Sequence, residues 1–265
     1  MGALTTTYYP NDMVASLTQP VDNGAGAAVT KTNTYSLDPS GRIDTITTTT
    51  GGTETQRLQY RFSAGNDVPT SIRASSDAGV NWSVTRNIQI PVLGMLGSFG
   101  GSTFDWSLQN LHGDAVATQS ANSGAVTLAT YGETDEYGAA IAVGGSAAKY
   151  GYLGAWERST DTVGGFVIMG ARLYNPLVGG FLSADSVLNG GATRYAYPFD
   201  PVNGRDLDGT IWGWVVDQFL DYLLDYVIDG IGCFLCSGTG MICGALISAA
   251  ITFIYRLVMY HYASG

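Results

Sequence analysis

Apolar and polar positions alternate with a period of two through residues 1–148, in short runs cut by Gly, Asn and Asp. That is the pattern of half-buried strands joined by tight turns. Thr34–Leu37 and Arg42–Thr48 flank Asp38-Pro39-Ser40-Gly41. Pro presets φ and Gly tolerates a positive one, so a hairpin is predicted there. Leu58–Phe62 alternates again, and Ala64-Gly65-Asn66-Asp67 turns it toward Thr70–Arg73; Trp82–Ile90 alternates before Pro91. From Gly164 to Gly209 the runs shorten. Phe166–Met169, Leu173-Tyr174, Phe181-Leu182 and Tyr195–Tyr197 are predicted as four short strands, with turns at Gly179-Gly180 and Asn189-Gly190-Gly191.

After Thr210 the period changes. Asp217, Asp221, Asp225 and Asp229 recur every four residues in Ile211–Gly230, with Val216, Phe219, Leu223 and Val227 among the apolar positions opposite. A helix packed on other protein is expected, although a core or interfacial helix would show the same spacing. Met241–Tyr260 is 20 residues long with Arg256 as its one charge. At ~1.5 Å per residue it matches the roughly 30 Å hydrocarbon core of a bilayer. Arg256 lies near one end, where it can snorkel. Gly240, Gly244 and Ser248 form a small-residue ridge suited to close helix contact in lipid. The predicted fold is therefore mainly β, in short antiparallel strands and hairpins, followed by a C-terminal α-helical hairpin.

Composition narrows the function classes. The 265-residue chain has a net charge of −10 with only 12 Lys and Arg, so a nucleic-acid partner is not expected. Its 36 Gly and 16 Tyr suit many turns and half-buried strands. The N-terminus, MGALTTTYYPND, has neither a basic region nor an apolar core, and no signal peptide is readable. Cys233, Cys236 and Cys243 all fall in the apolar tail, where small thiols or a C-x-x-C disulfide are expected rather than a zinc site. No cofactor or metal is expected. His112-Gly113-Asp114 reads as a turn; the other histidine, His261, is in the tail, so no Ser-His-Asp hydrolase is suggested. Arg172 is the cation expected to be buried, with Asp185 or Asp206 as its partner.

The Tyr and D-x-x-G-R turn in Tyr35–Ile43 resemble the YD repeat of RHS proteins, and Leu108–Gly138 resembles that family's later segment. The likeness sharpens in Tyr150–Gly209, which is similar to the RHS-repeat-associated core domain. Its matching positions include Tyr152, Gly154, Gly165, Gly170-Ala171-Arg172, Tyr174, Pro176, Phe181-Leu182-Ser183, Asp185, Tyr195-Ala196-Tyr197, Pro201, Asn203, Asp206 and Gly209. The resemblance implies three regions: a YD-repeat-like β region at 1–148, a plug-like core at 149–209, and a hydrophobic helical tail at 210–265. Gly170, Arg172, Tyr174, Pro176, Tyr195 and Tyr197 are the expected structural motif of the plug. At 265 residues the body is too short to close a full shell alone, so either a larger RHS shell as partner or a truncated origin is expected.

In many members of the family the core is an autoprotease that cuts after D-P-x-G-L. Asp185, Asp206 and Asp208 are then the candidate catalytic acids, one as base and one as acid. This chain departs from the pattern at Asn175, Gly180, Leu207 and Thr210, and an uncut plug is the favoured expectation. The leading expectation is the C-terminal part of an RHS-type polymorphic toxin or delivery protein, with a β core that sequesters or presents a membrane-active tail. A membrane-anchored surface scaffold and a self-cleaving aspartyl core are the alternatives. Expected partners are a target or host membrane and an immunity protein; the expected location is secreted, cell-surface or membrane-associated.

Overall fold

The computed structural model describes residues 3–22, 26–63, 67–90, 93–121, 128–145, 149–186, 193–207 and 209. They all belong to one compact unit, Met1–Trp214. The expected tail helices, with Gly240, Gly244, Ser248, Arg256 and the three cysteines, lie outside the described residues, as does Asp208. Among the described residues, no helix is long and apolar enough to cross a membrane.

The described chain is mainly β. Twelve antiparallel strands pair in chain order into one sheet: β1 (Thr5–Tyr8), β2 (Val14–Asp22), β3 (Ala28–Leu37), β4 (Ile43–Thr50), β5 (Thr53–Arg61), β6 (Ser71–Ser75), β7 (Ser83–Ile90), β8 (Gly94–Gly100), β9 (Thr103–Gln109), β10 (Ala115–Ser120), β11 (Thr130–Thr134) and β12 (Ala140–Gly145). A 3-10 turn, Gly154–Trp156, comes next. A second sheet holds β13 (Val167–Met169), β14 (Arg172–Asn175) and β15 (Gly180–Phe181).

The β3–β4 hairpin shows how local chemistry sets the register. Asp38 N–H donates to the Arg42 carbonyl at 2.8 Å, and Gly41 N–H donates to the Asp38 carbonyl at 2.9 Å with φ at 82°. The Asp38 carboxylate accepts from the Ser40 and Arg42 amides and from the Arg42 guanidinium. With that turn fixed, Leu37 falls opposite Ile43, Tyr35 opposite Ile46, and Ile46 opposite Leu58. A one-residue slip would send this row to the wrong face. Tyr35, Ile46 and Leu58 are buried in the same cluster as Phe166, Ile168 and Leu173. One face of the sheet is thus covered by the segment 149–186.

Polar contacts fix that covering layer in place. Asn33, 2% exposed, donates to the Thr48 hydroxyl at 2.7 Å and accepts from the Val163 amide. Tyr60 OH lies 2.8 Å from Asp161 and 3.1 Å from the Ser159 hydroxyl. From β7, Asn87 and Gln89 both donate to the buried Glu157. The 3-10 turn sits between two non-glycine residues in the left-handed region, Leu153 at φ 55° and Glu157 at φ 60°. Such conformations persist only where their surroundings hold them. Here the Leu153 amide donates to Asp114 and the Glu157 carboxylate is held from β7.

One expected strand is corrected. Tyr195–Tyr197 does not form a strand: only Ala196 bridges, to Gly180. The Ala196 amide turns back to the Thr193 carbonyl at 3.2 Å, so the chain is bending where a ladder would need it extended.

Replacing Asn33 with Ala removes the bond to Thr48 and leaves the Val163 amide buried without its acceptor. Urea unfolding of Asn33→Ala is expected to show a loss of about 2 kcal/mol. A loss within experimental error would mean that the covering layer is held by apolar packing alone.

Candidate functional site

The β13–β14 turn passes through Gly170, at φ 54°, and Ala171, and delivers Arg172 as the first residue of β14, opposite Met169. Arg172 is 1% exposed. Its guanidinium carbon stands 3.7 Å from the centre of the Phe181 ring, contributed by β15. One guanidinium nitrogen, Nη2, is 3.0 Å from Asp185 Oδ2 and 3.0 Å from Asp206 Oδ2. Those carboxylates are 2% and 0% exposed. Asp185 and Asp206, distant in sequence, therefore meet on one buried cation.

Burying three ionisable groups is costly unless each charge is matched and hydrogen-bonded. Here two carboxylates share one guanidinium nitrogen, the close approach that acid–base chemistry at a carboxylate pair requires.

Arg194 organises the first carboxylate through the backbone. Its Nε and Nη2 donate to the Asp185 carbonyl at 3.2 and 2.8 Å, and its own carbonyl accepts from the Asp185 amide at 2.7 Å. The same carbonyl accepts from Arg172 Nη1 at 3.2 Å. Neither this clamp nor the Phe181 ring beneath Arg172 was expected from sequence. The one available signal was an arginine, among only 12 basic residues, close to Tyr195.

The chain beyond Asp206 rests on the same turn. Gly209 has φ 70°, and a Cβ there would lie 2.5 Å from the Met169 carbonyl oxygen and 3.2 Å from Arg172 Cβ. Only glycine fits both the conformation and the space.

An aromatic group completes the surroundings. Tyr174 lies 4.6 Å from Tyr197, 5.6 Å from Phe181 and 6.0 Å from Tyr152, centre to centre. Burial pushes the Tyr197 hydroxyl up to about 12, so these phenols act as neutral hydrogen-bonding groups. Tyr174 OH donates to the Tyr137 carbonyl at 2.8 Å. Tyr195 stands apart. Its carbonyl accepts from the Phe181 amide, while its side chain is 53% exposed and makes no part of this group. Pro176 lies on the rim of a shallow cleft with Tyr137, Leu177 and Phe199. His112 and Asp114 are part of a turn, with Asp114 accepting from Asn110, His112 and the Leu153 amide. Among the described residues, no group of His, Cys, Asp and Glu is arranged to hold a metal ion.

No protein-family model matches the sequence, and no curated protein matches it. Solved structures do match. A TcdB2-TccC3-Cdc42 crystal structure aligns at 14% identity and a TM-score of 0.42, covering 79% of this chain and 16% of its own. A Tc holotoxin pore of Photorhabdus luminescens, carrying a TccC3 mutation, aligns at 15% identity and a TM-score of 0.39, covering 78% and 15%. TcdB2-TccC3 without its hypervariable C-terminal region aligns at 15% identity and a TM-score of 0.37, covering 78% and 15%. The chain thus spans about one sixth of the length of the structures it matches.

Removing Arg172 alone leaves two buried carboxylates without their cation. Arg172→Met is expected to lose about 3–5 kcal/mol in chemical denaturation, with part regained when Asp185→Asn is added. A single-variant loss below about 1 kcal/mol would show that the pair is not desolvated in solution.

Proposed function

We propose that this chain is the C-terminal part of an RHS-type delivery protein whose β layers hold the segment leading into residues 210–265 and present that tail to a membrane. The observation that carries the reading is the seating of that segment. Asp206 is 0% exposed on Arg172, and Gly209 lies against the backbone of the β13–β14 turn. A chain fixed so firmly just before an apolar stretch is suited to hold the tail in place. The composition of the tail supports membrane insertion: Ile231–Tyr255 has no charged residue. The partners under this reading are a target or host membrane, a larger RHS shell and an immunity protein. The location is secreted, cell-surface or membrane-associated.

A second reading, self-cleavage, is favoured by one specific feature. Asp185 and Asp206 approach the same nitrogen of Arg172, which brings two carboxyl groups close to the chain's own Asp206–Gly209 stretch. In such a reaction one carboxylate takes a proton from water as its oxygen bonds to the peptide carbonyl carbon. The other gives its proton to the departing nitrogen as the C–N bond breaks.

Two measurements test these readings. A synthetic 210–265 peptide, added to dye-loaded vesicles, is expected to release the dye. A peptide that is helical and inserted but releases nothing would leave the surface-anchor role instead. On a denaturing gel, self-cleavage would give a fragment of roughly 55 residues, lost in Asp185→Asn. A single intact band in the folded wild type would eliminate the second reading and leave the first standing.

A further inference from the structure

Among the partly buried groups that neither reading uses, His112 has the most demanding surroundings. It sits in the β9–β10 turn, where Gly113 adopts φ 91° and a Cβ would overlap the Trp156 ring. His112 Nδ1 is 3.0 Å from Asp114 Oδ1, and Nε2 is 2.9 Å from the carbonyl oxygen of Pro201. The ring stacks on Tyr152 at 5.5 Å with an interplanar angle of 27°. Pro201 belongs to the segment that carries the chain from Tyr197 to Asp206.

Both contacts ask the ring to donate. The Pro201 carbonyl can only accept. Asp114 already accepts from the Leu153 amide and from Asn110, as an ionised carboxylate does. A neutral imidazole has one N–H and one lone pair. With the proton on Nδ1, the Nε2 lone pair faces the carbonyl; with the proton on Nε2, the Nδ1 lone pair faces a carboxylate. Neither tautomer satisfies both. The imidazolium satisfies both at once.

We propose that His112 is a proton-dependent latch: charged, it ties the segment 198–206 to the β9–β10 turn, and losing its proton releases that segment. The groups around it favour the cation on balance. Asp114 lies on its own turn, and Asp135 and Glu136 of the β11–β12 connection line the same cleft of about 260 Å³, together with Val202. Arg205, on the held segment, opposes the charge, while its guanidinium lies 4.3 Å from the Trp156 ring. Tyr152 is kept neutral by burial. The hydrogen bond to Asp114 raises His112 above the ordinary histidine value, and burial, which lowers it, does not cancel the rise.

The sign of the pH effect is set by that rise. His112 is raised in the folded chain relative to an unfolded value of about 6.5. Its contribution is therefore complete below about pH 6.5 and disappears as pH rises through the folded value. The segment that delivers Asp206 to Arg172 is held most firmly in acid and loosens as pH rises through the folded value of His112. This inference stands whether the tail enters a membrane or the chain cuts itself, because its readout is the motion of residues 198–206.

The test uses the full chain with His261→Gln, so that one histidine signal remains. Proton NMR of the ring is expected to show His112 titrating above the ordinary histidine value. Amide hydrogen exchange at residues 198–206, corrected for intrinsic rates, is expected to show protection several-fold higher at about pH 5.5 than at about pH 8.5. Adding His112→Gln is expected to flatten that dependence while β2–β6 keep their protection. A ring that titrates at or below the ordinary value would overturn the latch. So would an unchanged pH dependence in His112→Gln. Should that variant fail to fold, the ring titration decides alone.

Discussion

A guanidinium taken out of water must find its counter-charges within hydrogen-bonding reach. That requirement shapes the inner end of this molecule. Arg172 gathers Asp185, Asp206 and the carbonyl of Arg194, each from a different turn of chain. Asp185 and Arg194 also bond to each other, and Arg172 joins Asp206 to that pair. β14 has four residues and β15 has two, too few for ladder bonds alone to define a fold. The charge cluster and the aromatic group formed by Tyr152, Tyr174, Phe181 and Tyr197 supply what the short ladders lack.

The large sheet packs against the other face of the small one. Its meander places Leu17, Tyr35, Ile46, Leu58 and Ile72 on one face, and Phe166, Ile168 and Leu173 cover them. The apolar contact between the layers tolerates sliding, since such packing has little directionality. Asn33, Asn87, Gln89 and Tyr60 remove that freedom by bonding to Val163, Glu157, Ser159 and Asp161. Position comes from polar groups, and cohesion from apolar ones.

What could be read in advance was whatever depended on neighbours in sequence. The Asp38–Gly41 hairpin was legible because turn, register and buried row are settled within about a dozen residues. Arg172 and its acids were legible because the region holds few cations and few carboxylates. The Arg194 clamp was hidden, since it acts on the backbone carbonyl of Asp185, which every residue possesses. The strand expected at Tyr195–Tyr197 failed for a related reason: alternation of aromatic and small residues does not reveal that an amide is already committed to a turn. His112-Gly113-Asp114 was readable as a turn, but its bond to Pro201, 89 residues away, was not. The proposed catalytic roles and the tail helices rest on sequence resemblance and composition.

Gly209 can finally be considered as a point of mechanical attachment. A pull on the chain from residue 210 onward would reach Gly209 first, and there meet the backbone of Met169 and Arg172. Farther inward come the Asp206 carboxylate on Arg172, the Arg205 guanidinium on the Trp156 ring and Pro201 on His112. Traction would therefore not peel the large sheet strand by strand. It would load a short series of discrete fastenings, each of different chemistry: steric fit, then an ion pair, then a cation over a ring, then a hydrogen bond that needs a proton. The strength of such a series under tension depends on the solution around it, and acid would reinforce only its innermost fastening.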